Sequence, residues 1–214
     1  MTHGAAARFA LLCLPGLLGL LAASAAPTAA AATTDLAPKT FAVSLDDKPI
    51  GEHRFGFAAA AGDERQVTSD ASFDVRLLGI VVYRYRHHAV EHWRGDCLAS
   101  IEARTDENGK TTEVHEVADA DGPLTGCIMS FAYWNMGMLK QTQLLNAQTG
   151  KLEPVAIVSK GNGEVEAHGS RIAAARWRIS GPVHPIDVWY AADGQWVGLD
   201  STVAGGRHLS YRLK

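Results

Sequence analysis

The chain has 214 residues, 47% apolar, 20% charged and 7% aromatic, a balance that suits one globular domain and excludes a disordered or collagen-like polymer. Lys and Arg number 20 against 23 Asp and Glu, a net charge of -3, so no basic excess exists to grip a phosphate backbone and no nucleic-acid partner is expected.

Residues 1–32 open with Arg8, continue through an apolar run from Phe9 to Leu21 and become small and Ala-rich, the pattern of a secretory signal peptide. Ala23-Ser24-Ala25 and Ala30-Ala31-Ala32 are of the small-x-small type, placing cleavage near residues 25–32. The apolar run falls short of the roughly 20 residues a spanning helix needs, and Pro15 and Gly16 interrupt it. No retained transmembrane segment is expected, and the protein is placed in the periplasm or outside the cell. Cys13 leaves with the signal. Cys97 and Cys127 then remain as a pair in an oxidising compartment, which predicts a disulfide closing a loop of about thirty residues. The alternative redox reading of Cys127-Ile-Met-Ser130 lacks the strand-then-helix context of thioredoxin-like sites.

After a short lead over residues 33–39, a single β-rich domain is expected over residues 40–214. Phe41, Val43 and Leu45 alternate, and Asp46-Asp47-Lys48-Pro49 supplies turn chemistry. His53, Phe55 and Phe57 then share one face. Val67, Ser69, Ala71, Phe73, Val75 and Leu77 alternate with polar residues, as in a half-buried strand. Ile80 to Trp93 reads as one long strand, and Leu98 to Thr105 pairs with Lys110 to Ala118 through the hairpin signal Asn108-Gly109. Ile128 to Leu139 lacks period-two alternation and is apolar on all sides, which predicts a short buried helix near 129–140 that plugs a curved sheet. Gly161-Asn-Gly163 reads as a turn, as do the Asp119 and Asp121 region and Asp193-Gly194. The chain ends in a meander through Ile186–Tyr190, Gln195–Leu199 and His208–Leu213. The predicted fold class is mainly β: one strongly curved antiparallel sheet wrapped around one short helix.

Four segments carry a resemblance: Leu45-Asp-Asp-Lys-Pro-Ile-Gly51, Tyr83-Arg-Tyr-Arg-His87 with Glu91-His-Trp93, Gly126-Cys-Ile-Met-Ser-Phe-Ala-Tyr-Trp134, and Leu145-Asn-Ala-Gln-Thr-Gly150. Together they resemble a family of exported bacterial proteins of unknown function, over residues 40–214. That family's layout is similar to the half-barrel carriers that ferry lipoproteins and lipids across a periplasm. The resemblance implies a fold and an export route, and it carries no activity, cofactor or catalytic residue.

Three sets of residues bear chemistry. His87, His88, Glu91 and His92 form the densest polar cluster, but on a strand His88 and His92 share one face about 13 Å apart while His87 and Glu91 share the other. A metal there needs a ligand from elsewhere, such as His53, His115, His168 or His208. Arg84 and Arg86 alternate with Tyr83 and Tyr85 and either present guanidinium forks to an anionic headgroup or pair with acids such as Asp74, Glu102 or Asp187. Phe55, Phe57, Phe73, Met129, Phe131, Met136 and Met138 are the candidates to line an apolar ligand cavity, with plain core packing as the alternative. No nucleophile elbow, His-Glu-x-x-His or phosphate loop is present, and no cofactor is implied. The leading expectation is a non-enzymatic carrier or binding module for an apolar, lipid-like ligand. An adaptor for envelope proteins and a metal-dependent hydrolase built on His87–His92 are the alternatives.

Overall fold

A computed structural model of the chain describes residues 37–60, 62–118, 124–181 and 184–214, all within one compact unit, Asp35–Lys214. The expected signal segment and cleavage sites, most of the expected lead and the turn expected at Asp119 and Asp121 lie outside the described residues.

The expected strands are present. They are β1 (Lys39–Leu45), β2 (Lys48–Ala59), β3 (Glu64–Leu77), β4 (Ile80–Arg94), β5 (Cys97–Glu107) and β6 (Lys110–Val117), followed by the hairpin β7 (Gln143–Asn146) and β8 (Lys151–Pro154). Then come β9 (Ala156–Ala167), β10 (Ser170–Ser180), β11 (Ile186–Tyr190), β12 (Trp196–Val203) and β13 (Arg207–Leu213). Eleven strands form one antiparallel sheet in the order β6-β5-β4-β3-β2-β1-β13-β12-β11-β10-β9. Each half is a meander of successive hairpins, and the first and last strands join them, Phe41 opposite Leu213 and Leu45 opposite Leu209. The sheet stays open, with β6 and β9 as its edges.

Period-two burial sets the inner face. In β1, Phe41, Val43 and Leu45 are buried while the residues between them are half-buried. In β4, His87, Ala89, Glu91 and Trp93 point into the core and Arg84, His88, His92 and Arg94 point out. The strands close up at Gly51, where an added Cβ would lie 1.9 Å from the Ser72 carbonyl oxygen. Phe73, Gly51, Val43 and Tyr211 are cross-strand neighbours on β3, β2, β1 and β13. A flat sheet would set the outer pair roughly 14 Å apart. Instead their rings meet at 6.1 Å over the side-chain-free Gly51.

Residues 124–155 fill one end of the half-barrel. The expected helix is shorter and tighter than the spacing predicts: only Met136–Lys140 is helical, as a 3-10 turn capped by the Asn135 side chain, which accepts from the Gly137 amide. Residues 129–135 are irregular, because Leu145 and Phe131 take up backbone bonds that a helix would have made internally: Leu145 N donates to Met129 O and Phe131 N to Leu145 O. The Cys97–Cys127 disulfide, with its Cα atoms 4.7 Å apart, ties this segment to the start of β5. Trp134 sets its edge on Trp93 at 5.2 Å and on Phe57 at 5.5 Å, Tyr133 packs on Trp196 at 5.3 Å, and the Tyr190 hydroxyl donates to the Tyr133 carbonyl. Met129 and Met138 are fully buried. The segment is the core of this end, its buried side chains packed directly against those of the sheet.

The long strands β9 and β10 carry no clean alternation in the sequence, and the predicted Gly161-Asn-Gly163 turn lies inside β9. Gly161, at φ 79°, faces a register shift between Ala175 and Trp177, so the glycines serve a bulge. Beyond it the hairpin folds over the outer face of β11 and β12. Gly198 makes room there, since a Cβ on it would stand 3.0 Å from Val165.

Candidate functional site

At the end opposite the plug the inner face is partly open. Along β4 the inward residues Val81, Tyr83 and Tyr85 are half-buried, whereas His87, Ala89, Glu91 and Trp93 are buried. Ile50, Leu209 and Tyr211 are likewise half-buried around Val43, Ala71 and Phe73. Phe73 stacks on Tyr85 at 5.3 Å with planes 10° apart, and Tyr211 meets Phe73 and His53 at 6.1 and 5.8 Å. This end is therefore packed from aromatic rings with polar tips, partly buried around Phe73, rather than from aliphatic side chains alone.

Two imidazoles lie beneath it. His53, Ala71, His87 and Thr105 occupy one cross-strand row over β2 to β5, so only the methyl group of Ala71 stands between the two rings. The His53 ring stacks on Phe55 at 4.2 Å, and its Nε2 lies 2.7 Å from the Ser69 hydroxyl. Its Nδ1 is sealed from solvent and finds no hydrogen-bond partner among the described residues. Burial, assisted by His87, lowers its pKa from 6.5 to about 3. His87 bonds Thr105 Oγ1 through Nδ1 at 2.8 Å and is lowered to about 4, chiefly by burial and then by His88, against an opposing pull from Asp70. Both rings are neutral at physiological pH and offer hydrogen bonds rather than charge.

Deeper in, Glu91 links β4 to the plug. Its carboxylate accepts from Trp93 Nε1 at 3.0 Å and bonds the Ser130 side chain, and burial raises its pKa to about 6 against the lowering effect of both bonds.

The residues singled out from the sequence divide between the two faces. His87 and Glu91 point inward. His88 points out to Asp70 at 2.6 Å, and His92 is exposed on the same outer face. His115 pairs with Glu102, His208 with Asp200, and His168 bonds the Lys214 carbonyl, so none completes a ligand set. Among the described residues no three His, Cys, Asp or Glu side chains converge in a metal-binding group. Arg84 and Arg86 lie on the outer face and share Asp74, at 3.5 and 2.7 Å, which is the ion-pair arrangement rather than an inward headgroup site. Of the apolar candidates, Phe55 and Phe73 border the aromatic end. Phe57, Met129, Phe131 and Met138 belong to the plugged end, and Met136 is 40% exposed there. Tyr85, Tyr211 and Ser69 were not singled out as site residues. Alternation had already put His53 and Phe55 on one face, but Tyr211 arrives from the far end of the chain through the β1–β13 pairing.

Two hollows open at the surface, one on the outer face and one beside Val81 and Tyr83 of the open end. One, of about 290 Å3, sits on the outer face between Arg171, Trp189 and Arg212, where Asp200 and Glu164 already engage the two arginines. The other, of about 500 Å3, flanks Tyr83 and Asn108.

The curved open sheet, plugged at one end, defines a half-barrel β protein with a barrel-like neighbour among solved structures. A β-barrel-like protein of the domain of unknown function DUF1849 from Brucella abortus matches with a TM-score of 0.59 at 10% identity, over 83% of this chain and 94% of that one. The chain belongs to the family of the domain of unknown function DUF6134, which matches residues 41–214. No curated protein matches it.

Proposed function

We propose that this chain is an exported, non-enzymatic binding module that holds an apolar or amphiphilic molecule at the open end of the half-barrel. The observation that carries the reading is the unpartnered Nδ1 of His53 beneath an aromatic surface. A buried polar atom without a partner costs about 1–3 kcal/mol, and a ligand that bonds it recovers that cost. Because the ring is neutral, a hydroxyl suits it best: either tautomer of His53 can bond a group that both donates and accepts. The apolar part of the ligand would lie on Phe73, Tyr85 and Tyr211. Export is supported by the leader-like pattern of residues 1–32 and by a disulfide that an oxidising compartment sustains.

The double substitution His53→Phe, Ser69→Ala replaces both hydrogen-bonding partners by apolar groups. Thermal unfolding should show it as stable as wild type or more so, by about 1 kcal/mol. A polarity-sensitive naphthylamine dye should bind the wild type and be displaced by a long-chain alcohol, with the competitor at least tenfold weaker on the variant. Failure of the wild type to bind dye, or equal competition on both proteins, would contradict the reading.

A further inference from the structure

The hairpin of β3 and β4 runs past its last cross-strand partners on either side. Pairing of β3 with β2 stops at Phe73–Gly51, and pairing of β4 with β5 stops at Tyr85–Glu107. Asn108 N still donates to the Arg84 carbonyl, and residues 74–83 continue as a two-stranded ribbon whose arm from Asp74 to Leu77 runs roughly 13 Å past the last β2 partner. Its end is apolar and exposed: Leu77 at 64%, Leu78 at 94%, Ile80 at 69% and Val82 at 54%.

The turn itself is strained. Leu78 and Gly79 have φ of 50° and 85°, the left-handed pair that a two-residue hairpin of the type I′ kind requires. The other two-residue hairpin turns with this feature use Asp46-Asp47, Asn108-Gly109 and His168-Gly169, whose first positions are polar. Leu78 thus carries backbone strain while its side chain lies almost wholly in solvent, so no contact inside the molecule compensates.

A collar of guanidinium groups stands behind the tip. Arg76 donates to the Gly79 carbonyl at 3.2 Å, and Arg76, Arg84 and Arg86 all share the single carboxylate of Asp74, at 3.9, 3.5 and 2.7 Å. The neighbouring β5–β6 turn adds Lys110 against Asp106 and Glu107, and Glu107 accepts from the Tyr83 hydroxyl. Cations remain in excess around the ribbon.

We propose that the tip of the β3–β4 ribbon is a membrane-contact element: Leu77, Leu78, Ile80 and Val82 enter the boundary of a lipid bilayer while Arg76 and Arg84 meet the phosphates of anionic lipids. A bilayer, rather than a protein groove, fits because the apolar side chains cluster at a projecting end with no polar group among them to match a partner. Arg76 lies two residues behind the turn, about 7 Å, which matches the 5–10 Å to which interfacial elements bury. Arg-rich collars beside apolar tips are drawn to anionic leaflets. The inference does not depend on a ligand at the open end.

Flotation with vesicles tests it, using wild type and variants from an exporting host with matching N-termini verified by mass. Wild type is expected to float with vesicles of phosphatidylethanolamine and phosphatidylglycerol at 3:1, and more weakly with phosphatidylcholine. Leu78→Asn should lower partitioning at least tenfold while holding or raising the thermal midpoint, since Asn suits the turn. Arg84→Gln should lower partitioning several-fold on the anionic vesicles only. The proposal is overturned by a wild type that stays in solution, by Leu78→Asn floating like wild type, or by a loss of thermal midpoint in Leu78→Asn that tracks its loss of binding. A dimer in sedimentation velocity that Leu78→Asn dissolves, with no vesicle binding, would overturn it in favour of self-association.

Discussion

Glu91 and the two buried histidines pull stability in opposite directions with pH. Glu91 has its folded pKa raised from 4.5 to about 6, so the folded state holds this proton more tightly than the unfolded chain does. Its contribution is full below pH 4.5 and is lost as pH rises through 6, a change of about 2 kcal/mol. His53 and His87 have folded pKa values depressed to about 3 and 4, so their contribution is full above pH 6.5 and is lost as pH falls toward those values. The pair should dominate, and urea midpoints should fall between pH 7 and pH 5. Glu91→Gln isolates the opposing component: the variant should gain about 2 kcal/mol on wild type at pH 7.5 and nothing at pH 4.5. An equal difference at both pH values would mean that the fold does not raise the pKa of this carboxyl. The sequence showed these three side chains as polar residues on strands. It could not show that the two imidazoles flank Ala71 in one cross-strand row, because that depends on the register of β2, β3 and β4.

At the scale of elements, the plug is held by one covalent and several aromatic ties. The Cys97–Cys127 bond closes a loop of 30 residues and is worth roughly 3–4 kcal/mol by chain entropy. Trp134, wedged between Trp93 and Phe57 with the Arg65 guanidinium 5.4 Å over its ring, is the main packing anchor. Trp134→Ala should cost about 3–5 kcal/mol in denaturant unfolding, and the paired Cys97→Ser, Cys127→Ser variant about as much as the disulfide estimate. If Trp134→Ala costs under about 1 kcal/mol, the segment is a loosely held cover and not a core. The existence of this element was legible in the aromatic and Met-rich run from Met129 to Leu139; its conformation was not. Periodicity sees which residues are apolar, whereas the irregular stretch before the 3-10 turn follows from the backbone bonds of Met129 and Phe131 to Leu145, a residue distant in sequence. The strands β1 to β6 were legible for the converse reason, since one face of each meets the core and the other meets solvent, which imposes period two. In β9 and β10 the hairpin buries parts of both faces, against the inner core and over Gly198, and the alternation blurs.

For the whole molecule, the decisive contact joins the two ends of the chain. Without the β1–β13 pairing there would be two separate meanders; with it, the sheet curls over Gly51 and brings Tyr211 to His53 and Phe73. The mainly β class and the internal plug follow from composition and alternation and the half-barrel layout from the family resemblance, but strand order follows from neither, because antiparallel hairpins fix only neighbours in sequence. The asymmetry that results, a packed end and an open aromatic end, is what the functional account rests on. Native mass spectrometry of the protein from an exporting host, compared with its denatured spectrum, tests that account most directly. It predicts a bound amphiphile of defined mass that is lost on denaturation and is missing from the His53→Phe, Ser69→Ala protein. A native mass identical to the denatured mass, with no added amphiphile retained by wild type, would contradict it.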